Sequence, residues 1–80
     1  MSTADEVIAT IQAVTGEMEV QVNRELPLFE LQLLDSLQTV ELLVALCERF
    51  HVDVALSEID RDAWATPARI VAFMEQRVGG

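Results

Sequence analysis

The chain has 80 residues with 14 acidic and 5 basic side chains, and its net charge of -9 disfavours nucleic acid and anionic membranes as partners. A basic protein surface is the partner that this charge favours. The length predicts one domain, 1–80. Its single cysteine, Cys47, excludes an internal disulfide. No apolar run approaches the ~20 residues of a membrane span and no signal peptide is recognisable, which predicts a cytoplasmic protein without direct membrane insertion.

The first predicted helix covers residues 4–15. Thr3 and Glu6 resemble a capping box before it, and Gly16 is a stop signal after it. Its apolar residues follow helical spacing: Val7, Ile8, Ile11 and Val14. The pattern therefore predicts a helix with one buried face.

A long connection follows over residues 16–34. Pro27 interrupts any helix there, and the segment is too apolar for a mobile linker. We therefore expect it to pack along the helices as ordered coil, with room for one short helical turn.

The longest helical pattern covers residues 36–50. Asp35 and Ser36 both suit its N-cap, and Gln38 lies three residues after Asp35, as in a capping box. The predicted buried side, with Leu42 and Val44 at its edges, comprises Thr39, Val40, Leu43, Leu46, Cys47 and Phe50. The opposite, mostly polar side comprises Leu37, Gln38, Glu41, Ala45, Glu48 and Arg49. Leu37 is an apolar exception on that side, next to Ser36.

The C-terminal third predicts a short turn of helix over 57–62, capped by Ser57, and then a longer helix. Thr66 and Pro67 are suited to the N-cap and first position of that helix. Trp64 is the expected structural anchor, because large aromatic residues dominate small cores. Together these elements predict an all-α fold with three main helices and a short additional one.

Few residues could perform catalysis. Cys47 and His51 are four residues apart, but a cysteine nucleophile also needs a cleft and an oxyanion site, and Cys47 falls on the buried side. The acidic cluster lacks the glycine and bidentate glutamate of a calcium loop: Asp53, Glu58, Asp60 and Asp62. We therefore expect a binding module with neither catalytic residues nor a metal site.

Three stretches of the chain, within residues 29–74, carry a family resemblance. They are Leu33-Leu34-Asp35-Ser36-Leu37, then Thr39-Val40-Glu41-Leu42-Leu43 with Arg49-Phe50, and last Asp60-Arg61-Asp62 with Trp64, Thr66-Pro67 and Ile70-Val71. In this order they resemble the phosphopantetheine-dependent acyl and peptidyl carrier proteins, and most closely the D-alanyl carrier proteins.

The resemblance implies a small four-helix bundle of acyl-carrier-protein type, with a long first loop and a short third helix. It implies that a phosphopantetheinyl transferase attaches 4'-phosphopantetheine from coenzyme A to Ser36. The arm would hold an acyl or aminoacyl group as a thioester. An AMP-forming ligase would load it and a downstream acyltransferase or synthase would unload it, while the carrier, expected to be a monomer, catalyses nothing.

The acidic side of the second helix is the expected contact surface for these enzymes. Leu37, Glu41 and Glu48 are the predicted contacts, with Asp35 beside the attachment serine. Gln32 stands where D-alanyl carriers have glycine, so two alternatives for the cargo stay open. One is D-alanine, and the other is an aminoacyl or acyl group of a polyketide or nonribosomal peptide antibiotic pathway. A remoter alternative is an acidic interaction module in which Ser36 is only a helix cap.

Overall fold

The fold consists of α-helices joined by ordered connections. The computed structural model describes residues 2–78, and within that range it contains no strand. The helices are α1 (Thr3–Thr15), α2 (Ser36–Phe50) and α3 (Pro67–Val78), with 3₁₀ turns at Met18–Gln21 and Leu56–Glu58. The predicted all-α fold is therefore confirmed.

Local capping explains where α1 begins and ends. The hydroxyl oxygen of Ser2 accepts a hydrogen bond from the backbone N–H of Asp5 at 3.1 Å, so the cap lies one residue before the predicted Thr3. Gly16 ends the helix in the left-handed conformation, with φ of 72°. Its N–H donates to the carbonyl of Gln12, which confirms the predicted stop signal.

The core lies where α1 packs against both α2 and α3. Trp64 is its largest fully buried residue. The other large, fully buried side chains come from all three helices and from the first connection: Val7, Ile11, Val20, Leu28, Leu42, Leu46, Pro67, Ile70 and Met74. One hydrophobic cluster thus holds distant parts of the chain together.

The first connection is ordered, as predicted, because it is bonded to the C-terminal third. The N–H of Leu28 donates to the carbonyl of Ala65 at 3.0 Å, and the N–H of Ala68 donates to the carbonyl of Arg24 at 2.9 Å. Leu28 is fully buried. These bonds fix the path of the chain just before α2.

The predicted short helix over 57–62 is not an α-helix. A 3₁₀ turn over Leu56–Glu58 stands there, and its N-cap is Ala55 rather than the predicted Ser57. Glu58 holds this turn in place, since its carboxylate accepts from the N–H of Ala55 and from Arg77, both at 3.0 Å. These two bonds hold the pKa of Glu58 below its ordinary value, and the bond from Ala55 contributes the most. The four-helix count is therefore not confirmed.

Candidate functional site

The N-terminus of α2 is built by Asp35. Its side-chain Oδ1 accepts a hydrogen bond from the N–H of Gln38 at 2.8 Å, and its carbonyl accepts from the N–H of Thr39 at 2.9 Å. Asp35 is thus the N-cap, and Ser36 is the first residue of the helix. The competing assignment of the cap to Ser36 is wrong.

Ser36 presents its side chain to solvent. The residue is exposed, and its hydroxyl makes no hydrogen bond to any residue of the described range 2–78. The first turn of α2 carries no acidic side chain. The N–H groups at the start of α2 that the Asp35 side chain does not engage favour a negatively charged group near Ser36.

An open cavity of about 510 Å³ adjoins Ser36. Its walls come from the first connection, the start of α2 and the segment after the second 3₁₀ turn: Phe29, Gln32, Leu34, Asp35, Ser36 and Arg61. The guanidinium carbon of Arg61 lies 4.8 Å from the centroid of the Phe29 ring. Arg61 belongs to the stretches that carry the family resemblance, but no spacing in the sequence predicts that it and Phe29 lie beside Ser36.

Gln32 has a left-handed backbone, with φ of 60°. This conformation costs a residue with a Cβ about 1–2 kcal/mol, whereas glycine adopts it freely. The requirement explains why glycine suits this position in the family pattern given above. The chain instead places a polar amide at the wall of the cavity.

The outward side of α2 carries the predicted contact residues. Leu37 is 68% exposed, and Glu41 and Glu48 are exposed on the same side. Val40 and Val44, predicted on the buried side and at its edge, are 38% and 51% exposed and join them. We call these five residues the outer face of α2; at 100° per residue they span an arc of about 100°.

Among the described residues 2–78, the one hydrogen-bond contact of the Cys47 thiol is with a backbone carbonyl, and none joins it to His51. Cys47 is half-buried, and its Sγ lies 4.0 Å from the carbonyl oxygen of Val54. His51 is the left-handed C-cap of α2, with φ of 56°, and is exposed. Within residues 2–78 no three His, Cys, Asp or Glu side chains are grouped so that they could hold a metal ion.

The exposed hydroxyl of Ser36, at the start of α2, is accessible to a modifying enzyme. The family described as "Phosphopantetheine attachment site" matches residues 5–74, which places the chain in the class of phosphopantetheine-dependent carrier proteins.

Comparison with similar proteins identifies the family within this class. A D-alanyl carrier protein of Lacticaseibacillus rhamnosus is 46% identical over 70 residues, 88% of this chain and 86% of the relative. D-alanyl carrier proteins of Listeria monocytogenes serotype 4a and Enterococcus faecalis are 40% and 39% identical over 75 residues, 94% of this chain and 96% of each relative. The chain belongs to the D-alanyl carrier protein family.

The family assignment supplies the cofactor and the role. The chain is a carrier protein, and its cofactor is covalently bound 4'-phosphopantetheine, whose thiol holds an aminoacyl group as a thioester. The described residues fit this group, since they offer an exposed hydroxyl without an internal hydrogen bond beside an open cavity. No helix within 2–78 is both long and apolar enough to cross a membrane.

Proposed function

We propose that Ser36 is the attachment residue, that the cargo is D-alanine, and that residues 1–80 are one carrier domain that catalyses nothing itself. The observation that carries the proposal is the exposed Ser36 hydroxyl, which no residue of the described range engages in a hydrogen bond. Identities of 39–46% to D-alanyl carrier proteins support D-alanine over a polyketide or peptide-antibiotic cargo.

The residue before the serine has a physical role in this proposal. Asp35 closes the first turn of α2 through its bond to Gln38, which leaves the neighbouring Ser36 free to carry the arm. We also propose that the 3₁₀ turn Leu56–Glu58 corresponds to the short third helix that the four-helix bundle of this family implies.

Three kinds of enzyme would meet the carrier in turn. A phosphopantetheinyl transferase would attach the arm, an AMP-forming ligase would load D-alanine, and an acyltransferase would remove it. The outer face of α2 suits all three, because exposed carboxylates steer basic partners while Leu37 and its valine neighbours give apolar contact. Such complexes would be weak and sensitive to salt.

The first test is modification of the wild-type chain. Incubation with coenzyme A, magnesium and a broad-specificity phosphopantetheinyl transferase is expected to raise the intact mass by one phosphopantetheine. The modified protein is then expected to take up D-alanine from a D-alanine ligase and ATP as a thioester that hydroxylamine cleaves. A chain that stays unmodified under several transferases, each active on a reference carrier, would show that the proposal is wrong.

A second test concerns the outer face of α2. The double change Glu41→Gln and Glu48→Gln is expected to lower the kcat/KM of arm attachment about tenfold at low salt, because steering by these charges is lost. The variant should also lose much of its salt dependence. Glu25→Gln with Glu75→Gln removes the same charge from exposed sites elsewhere and is the matched control. Equal losses in both variants would refute a docking role for this face.

A further inference from the structure

Arg61 lines the cavity beside Ser36, and its guanidinium makes no ion pair with any residue of the range 2–78. In the described part of the chain, Arg49 pairs with Glu6 at 3.5 Å and Arg77 pairs with Glu58 at 3.0 Å. The guanidinium of Arg61 has no such carboxylate partner there and lies over the ring of Phe29 instead. In a chain of net charge -9, an unpaired arginine next to Ser36 is open to an anionic ligand.

We propose that this cavity is a resting site for the phosphopantetheine arm, in which Arg61 binds the phosphodiester and Gln32 binds an amide of the arm. The inference rests on the proposed attachment at Ser36. It assigns to the carrier itself a site for the arm between visits to partner enzymes.

The charges support Arg61 as the phosphate contact. An arm on Ser36 adds a phosphodiester anion next to the carboxylate of Asp35, and both residues line the same cavity as Arg61. A guanidinium matches phosphate oxygens in a bidentate geometry, which makes arginine better suited than lysine to this role. The contact with the Phe29 ring holds the guanidinium at the wall of the cavity.

The size and lining of the cavity fit the remainder of the arm. About 510 Å³ lies within the usual range of small-molecule sites, roughly 300–1,000 Å³. The half-buried Phe29 offers apolar surface to the dimethyl group of the arm. Gln32, whose backbone is left-handed, offers both a donor and an acceptor to the amides of the arm.

The test compares amide NMR spectra of the unmodified and modified wild-type protein, using material whose mass confirms complete modification. Attachment is expected to shift the signals of residues 29, 32 and 61, as well as those next to Ser36. Shifts confined to residues 35–37 would show that the arm does not rest in the cavity. Failure of modification itself would appear in the mass and would instead refute the proposed function.

Variants identify the contact. Arg61→Gln is expected to abolish most of the attachment shifts at residues 29 and 32, and Arg61→Lys to keep part of them. Arg24→Gln makes the same charge change at an exposed residue outside the cavity and should leave the shifts intact. Retained shifts in Arg61→Gln, or equal losses in Arg24→Gln, would overturn the role of Arg61. The wild-type comparison remains decisive even if Arg61→Gln fails to fold.

Discussion

A Ser36→Ala chain is expected to keep its fold and to acquire no phosphopantetheine under conditions that modify the wild type completely. Its stability should change by less than about 0.5 kcal/mol, because Ser36 is exposed and its hydroxyl bonds to no described residue. Intact mass measures the modification, and urea unfolding followed by circular dichroism measures the stability.

Two further variants test whether the loss of modification is specific to Ser36 and whether Asp35 is the helix cap. Ser57→Ala removes an exposed hydroxyl from the second 3₁₀ turn and should be modified like the wild type. Asp35→Ala should lose about 1 kcal/mol of unfolding free energy, because it deletes the side chain that caps α2. An interaction module with Ser36 as the cap predicts that loss for Ser36→Ala instead. Modification of the Ser36→Ala chain would disprove attachment at this residue.

Truncation of Trp64 is expected to have the largest effect on folding. Trp64→Ala should lower the unfolding free energy by about 3–5 kcal/mol, since it empties a fully buried site and removes an edge-to-face contact with Phe73 at 5.9 Å. A domain of this length has a total stability of roughly 4–12 kcal/mol. We therefore expect a strongly reduced urea midpoint, with the variant partly unfolded in buffer.

Trp64→Phe is the matched control for this site. The indole Nε1 is buried without a hydrogen-bond partner among the described residues, so its removal breaks no protein hydrogen bond. Phenylalanine keeps an aromatic ring against Phe73 and should cost only about 1–2 kcal/mol, from the smaller volume. Equal destabilisation by phenylalanine and alanine would contradict this account of the anchor.

Helix ends were the most predictable part of the fold because their signals are local. The observed α2, Ser36–Phe50, agrees with the prediction, and Thr66 caps α3 through a 3.2 Å bond from the N–H of Arg69. The cap of α1 was misplaced by one residue because Ser2 and Thr3 are both good caps. Either choice satisfies the same pattern, so only the three-dimensional contacts separate them.

The surroundings of the site were less predictable because they depend on contacts between distant segments. Helical periodicity predicts where each residue lies around α2. It does not predict that no other segment covers Val40 and Val44. The position of Arg61 beside Ser36 likewise follows from how the segment after the second 3₁₀ turn packs against the first connection. No spacing within the sequence predicts the contact between these two segments.

Two backbone hydrogen bonds join the first connection to Ala65 and Ala68, and they affect when the carrier can be modified. The segment that leads into Ser36 is held by Ala65 and Ala68, which lie far downstream in the chain. A nascent polypeptide that still has these residues inside the ribosome cannot complete the surface around the serine. We therefore expect the proposed attachment at Ser36 to follow translation and folding, and a chain truncated before Ala65 to be a poor substrate for it.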